Sequence, residues 1–285
     1  MKRFTSRSPW PRAMVAVLLL TAGCHFKNAA EKAAAAIVEK NIAARGGLSA
    51  WRAVKSMTLS GSLEAGKRRD PAKLAAAYLR SQTEAKAQAK VQAQAAEPAA
   101  DAVRLPFVLE LERPGKSRLE IRFQGQTAVQ VFDGKHGWKV RPFLGRREVE
   151  PYNDEELRQS ALQTDIDGPL IDSSSQNSKV ELVGTEMVEG REAHKLKVTL
   201  ASGQVRNVWV DAQTSLDLCV DGSRKMDGKP KTVWTCFKDY RTVGGLLLPH
   251  LMETTVEGVR DSEKIIVERV MLNPKFDNAR FTKPQ

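Results

Sequence analysis

The run Lys195-Leu196-Lys197-Val198-Thr199-Leu200 alternates strictly between polar and apolar side chains. Successive side chains of an extended chain point to opposite faces, so Leu196, Val198 and Leu200 share one face and Lys195, Lys197 and Thr199 the other. The same reading holds upstream, where Leu119, Ile121 and Phe123 oppose Arg118, Glu120 and Arg122, and where Phe107, Leu109 and Leu111 share a face. Val129 and Val131 lead into the turn Asp133-Gly134 and a strand over 136–142. Further strands read over 57–64, 179–185, 205–211, 216–221, 231–240, 246–256 and 264–272. About eleven strands with few helices between them predict a long antiparallel meander, not a βαβ alternation. A flat sheet of that size would leave an apolar face in water, so it must curl and be covered. The fold class is therefore α+β, mainly β, with helices over the concave side of a curved sheet. A packed core and an enclosed void give the same alternation.

Three segments supply the covers. Residues 28–45 are Ala-rich with Ile37, Val38 and Ile42, and read as a helix closed by Gly46-Gly47; a short helix over 48–54 follows. Residues 153–165 look helical, with Asn153 or Asp154 as cap and Leu157, Ala161 and Leu162 on a stripe. The segment 66–104 differs in kind: Lys, Arg, Ala and Gln dominate, with eight basic and four acidic residues. It reads as an inserted, mostly exposed helix, either solvated decoration or an arm for a partner or a membrane.

The chain has three cysteines. Asp227-Gly228 reads as a two-residue hairpin turn. Strands pairing outward from it set Cys219 opposite Cys236, at a position where Cα atoms come close enough for a disulfide. Two buried free thiols are the alternative.

Cys24 stands apart. Lys2, Arg3, Arg7 and Arg12 precede an apolar run from Met14 to Leu20, which ends in Thr21-Ala22-Gly23-Cys24. A basic leader and an apolar run far shorter than the ~20 residues of a membrane span describe a secretory signal peptide. Its end resembles the lipobox of bacterial lipoproteins, in which the cysteine sulfur carries a diacylglycerol and cleavage falls in front of it. An ordinary signal peptide that happens to contain a cysteine is the plainer alternative. On the lipobox reading residues 1–23 are the signal peptide, residues 24–285 the mature domain, and Cys24 the lipidation site. His25 follows, not the Asp that marks inner-membrane retention in enteric bacteria, and this resemblance implies the periplasmic face of the outer membrane.

Several phrases together resemble the outer-membrane lipoprotein-sorting proteins of the LolA/LolB superfamily. They are Arg45-Gly46-Gly47 with Trp51, Val131-Phe132-Asp133-Gly134-Lys135 with Gly137-Trp138, Gly168-Pro169-Leu170, Glu189-Gly190-Arg191, and Gly244-Gly245-Leu246-Leu247-Leu248-Pro249-His250. The likeness runs from Asn28 to Pro284, interrupted by the 66–104 insertion. It implies an incomplete antiparallel β-barrel closed by helices, with an apolar cavity for acyl chains of lipids or lipoproteins. The soluble carrier of that superfamily lacks a lipobox and the receiving protein has one, so Cys24 gives this chain the receiver's topology.

The residues expected to line such a cavity are Leu119, Ile121, Phe123, Val129, Val131, Leu196, Val198 and Leu200. Trp51, Trp138, Trp209 and Trp234 either join them or pack between sheet and helices. No nucleophile elbow, zinc-protease helix, phosphate loop or dinucleotide fingerprint occurs. The four histidines, His25, His136, His194 and His250, are too dispersed to hold a metal. The sequence thus predicts a non-enzyme without cofactor or metal. Of the formal charge of +11, four units lie in the leader, and no basic stripe with interleaved aromatics suggests nucleic acid. The expected partners are a membrane, through the anchor, and acyl chains in the cavity. The alternative is a structural or assembly lipoprotein with a solid core that docks an envelope protein on the inserted helix. A hydrolase is a third reading and needs a nucleophile such as Ser174.

Overall fold

The computed structural model describes residues 14–65, 103–163, 166–171, 173, 177–226, 229–259 and 262–285. The insertion lies outside the described residues except Val103 and Arg104, which already belong to a strand, and Ser174 lies outside them too. The elements are α1 (Met14–Ala44), α2 (Leu48–Ala53), β1 (Ser56–Ala65), β2 (Val103–Glu112), β3 (Lys116–Phe123), β4 (Gln126–Phe132), β5 (Gly137–Arg141), β6 (Arg146–Pro151), α3 (Asp154–Gln163), β7 (Lys179–Val188), β8 (Arg191–Thr199), β9 (Val205–Asp211), β10 (Asp217–Met226), β11 (Lys229–Val243), β12 (Leu246–Val256) and β13 (Glu263–Leu272). Helix α1 starts well before Asn28, running back through the stretch read as leader. Among the described residues no helix is long and apolar enough to cross a membrane.

All the strands form one open antiparallel sheet in the order β6-β5-β4-β3-β2-β1-β13-β12-β11-β10-β9-β8-β7. Two meanders therefore meet at a seam where Met57 faces Leu272 and Ala65 faces Glu263. The described residues form 13 strands rather than about eleven. Strand β6, Arg-Arg-Glu-Val-Glu-Pro, has no apolar alternation because it is an edge. Charges and a proline are what an exposed edge carries to avoid further pairing.

The inner face of the sheet is covered in sections. Trp51 and Val54 of the α2 segment pack on Met57, Leu111, Leu246 and Leu248. Ala34 and Val38 of α1 pack on Leu196, Val198, Val208 and Val210. Each such side chain withdrawn from water contributes roughly 1.5–3 kcal/mol. Close approach fixes two glycines. A Cβ at Gly46, whose φ is +111°, would stand 2.4 Å from the Gly245 carbonyl oxygen; one at Gly61 would stand 1.9 Å from that of Ile266, at the register shift between β1 and β13.

The edges β6 and β7 are consecutive in sequence, and the chain between them returns across the inner face. Its helix α3 opens with a reciprocal capping box: Glu156 N–H donates to Asn153 Oδ1 at 2.9 Å, and Asn153 N–H to Glu156 Oε2 at 2.8 Å. Glu156 also holds buried Lys139. Of the expected stripe, Ala161 is exposed. Ile166, Leu170 and Ile171 are buried in the two helix-covered clusters. Arg113 clamps Asp167 through two hydrogen bonds, one of them 2.7 Å from Nη1.

On the outer face the C-terminal residues form a strap. Arg280 donates to Glu110 at 2.7 Å and Glu120 at 3.0 Å, and Phe281 is buried beside it. Burial alone would raise the Glu120 carboxyl, but Arg118 and Arg280 outweigh it and hold it below the ordinary range.

Hairpin β10–β11 has the register expected of the Asp227-Gly228 turn. Cys219 faces Cys236 with Cα atoms 4.0 Å apart, and the two are disulfide-bonded. They lie on the outer face beside Trp209, whose ring packs on Trp234 at 4.3 Å. Bridging residues 17 apart in sequence removes loop entropy from the unfolded chain worth about 3 kcal/mol. Cys219→Ser/Cys236→Ser accordingly lowers the urea midpoint by an amount matching that loss. The oxidised and reduced wild-type chains should differ by the same amount.

Candidate functional site

A groove of about 440 Å³ opens between α1, the start of α2 and the edge strand β7. Ala35, Val38 and Ile42 of α1, Leu48 and Val180 make its apolar wall, and Glu31, Glu39, Ser173 and Ser178 are its polar members. The volume lies in the range of small-ligand sites, which are mostly apolar with a few placed polar groups. Glu31 is bridged to Lys179 at 3.0 Å. Ser178 differs: its hydroxyl is shut off from water and has no hydrogen-bond partner among the described residues. An unmade hydrogen bond at a buried hydroxyl costs about 1–3 kcal/mol.

The groove rests on a polar pivot under α1. Asn41 Nδ2 donates to the Ser215 carbonyl at 2.8 Å and to Asp217 Oδ1 at 3.0 Å, and Arg45 Nη1 reaches Asp217 Oδ2 at 3.1 Å. The Arg45 guanidinium lies over Trp51, 4.6 Å from the ring centroid, and Trp51 Nε1 donates to the Arg45 carbonyl at 3.1 Å. Burial pushes the Asp217 carboxyl up against the opposing pull of Arg45 and Asn41. The sequence marks Arg45 only within a family phrase and does not connect it with Asn41 or Asp217, because Asp217 is 172 residues from Arg45. The available signal was on α1 itself, where Ala34, Val38, Asn41 and Arg45 fall on one helical face.

None of the eight residues expected to line a cavity lines this groove. Leu119 and Ile121 are buried in a cluster with Leu63, Leu105, Phe107 and Ala128, with Phe123 against it. Leu196 and Val198 lie wholly buried against Ala34 and Val38, with Leu200 partly buried beside them. The grouping with Val129 and Val131 is corrected by the register. Val129 pairs with Glu120 and Val131 with Arg118, on the outer face; Ala128 and Gln130 are the partners of Ile121 and Leu119. Pairing outward from the Gln124-Gly125 turn gives this result, but the large apolar residues of β4 drew attention to the wrong face. Of the four tryptophans, Trp51 packs between helix and sheet, while Trp209 and Trp234 are on the outer face.

A second cavity of about 400 Å³ near Leu216, Leu218 and Tyr240 has its charges already paired, Lys238 with Glu189 and Glu253 and Arg191 with Asp211. Among the described residues no cluster of His, Cys, Asp and Glu could hold a metal. His136 sits by Asp133 in a turn, His194 beside Thr185, and buried His250 against the Leu248 carbonyl.

The fold as a whole has counterparts among solved structures. A LolA superfamily protein from Nitrosomonas europaea superposes with a TM-score of 0.52 at 10% identity, over 88% of this chain and 97% of that one. The chain has a LolA-like fold. A domain from Vibrio parahaemolyticus described as an outer membrane lipoprotein-sorting protein superposes with a TM-score of 0.50 at 10% identity, over 89% of this chain and 97% of that one. No protein-family model matches the sequence, and no curated protein is similar to it in sequence. In this LolA-like fold the half-barrel is the two-meander sheet, and the groove runs along the helix that covers its β7 side.

Proposed function

We propose that this chain is a lipid-anchored envelope protein that holds acyl chains of a lipid or a lipidated protein and passes them on without covalent chemistry. The observation that supports it is an apolar groove along α1 on a LolA-like fold. An acyl chain entering the groove gains about 0.8 kcal/mol for each CH₂ removed from water. The eight-residue cavity is replaced by the wall Ala35, Val38, Ile42, Leu48 and Val180. Cys24 carries the anchor, placing the domain at the periplasmic face of the outer membrane, and the chain is not an enzyme. The dense burial of Ile121, Leu196 and Val198 favours a second reading, an assembly lipoprotein with a solid core.

The two readings separate in native mass spectrometry of the full chain carrying Cys24→Ser. Binding predicts a lipid mass on the folded protein. Ala35 is exposed on α1, so Ala35→Trp fills the groove and leaves the unfolding free energy within about 0.5 kcal/mol. The lipid mass should then disappear. A bare protein, or lipid retained by Ala35→Trp, overturns the groove as the site.

A further inference from the structure

The antiparallel order gathers the turns that join β3 to β4, β5 to β6 and β8 to β9 on one rim of the sheet. Strand β7 begins there, since Lys179 faces Thr199 at the end of β8. The Lys179–Glu31 bridge brings α1 to the same rim, while Asn41 and Arg45 reach Ser215 and Asp217 at the opposite one. The chain before Glu31 therefore leads away from this rim. Cys24 is seven residues earlier on α1, which at 1.5 Å per residue is about 10 Å along the helix.

The same rim carries a set of exposed cations. Arg122 lies beside the β3–β4 turn, Arg146 and Arg147 open β6, and Lys229 opens β11; all are exposed. Arg146 is 3.5 Å from Glu150, which already takes a 2.6 Å hydrogen bond from Arg141. Arg122 and Arg147 have no carboxylate partner among the described residues, and Glu148 is the exposed acid nearby.

We propose that this rim lies against the membrane that holds the anchor, with Arg122 and Arg147 on the phosphates of anionic lipid. The proposal rests on the reading of Cys24 as the acylated residue, because that puts a bilayer within about 10 Å of the rim. Charge then fixes the orientation: each guanidinium near an anionic surface contributes on the order of fivefold in affinity, and the pull fades beyond a Debye length. The end of the groove at Glu31 and Lys179 would thus open toward the bilayer, and the Asp217 end away from it.

The test is sedimentation of the full chain carrying Cys24→Ser with phosphatidylcholine vesicles, with and without phosphatidylglycerol. Arg122→Gln/Arg147→Gln should weaken the phosphatidylglycerol-dependent part about 30-fold. Lys55→Gln/Lys135→Gln, exposed charges of the opposite rim, should leave it unchanged. Equal weakening by both pairs, or none by the first, overturns the proposal. Failure of the anchor reading shows separately, as a membrane-extracted wild-type chain whose mass lacks acyl groups at Cys24.

Discussion

Asp217→Ala lowers the unfolding free energy by about 3–5 kcal/mol, because it strands the buried Arg45 guanidinium. Three contacts fail at once. Arg45 loses its counter-charge, Asn41 one of its two acceptors, and α1 its fixed point against β10. Removing the whole arrangement with well-shaped apolar residues costs much less, since the buried pair itself repays little more than its own desolvation. Arg45→Met/Asp217→Leu should therefore be more stable than Asp217→Ala alone. Guanidinium unfolding of the three chains checks the order. An Asp217→Ala loss below about 1 kcal/mol, the size expected of a surface pair, would mean the pivot is open to water.

Ile121→Lys prevents folding, whereas Val129→Lys loses about 1 kcal/mol or less. Ile121 has no exposed surface and is surrounded by Phe107, Leu119 and Ala128, so a lysine there has neither water nor a carboxylate. Val129 is half-buried on the other face, paired with Glu120. Circular dichroism with thermal melting of both variants reads the difference. Similar losses for the two would show that the β3–β4 register is shifted by one residue, which exchanges every side chain between faces.

That contrast also marks what could be read before any coordinates. Strict alternation identified β3 and β8, and one turn dipeptide fixed the β10–β11 register far enough to pair Cys219 with Cys236. Alternation misled in β4, where the small and polar Ala128 and Gln130 face inward and the larger apolar Val129 and Val131 outward. It was mute in β6, an edge strand with no face to bury. The connector residues Ile166, Leu170 and Ile171 look like a loop around Gly168-Pro169, and only the sheet folding around them makes them core. The groove was out of reach for another reason. Its wall comes from one stripe of α1, Leu48 of α2 and one residue of the edge strand, which only the folded chain brings together.

The seam between β1 and β13 has a consequence for how the molecule is made. Residue 57 finds its neighbour only when residue 272 is available, so the sheet stays in two pieces until β13 has been delivered. Loop-closure entropy makes such a distant pairing slow to form. A chain cut short before Glu263 has no means of uniting its halves, and each would present an unsatisfied strand to its neighbours. The integrity of the whole sheet is in effect written into a single strand, β13.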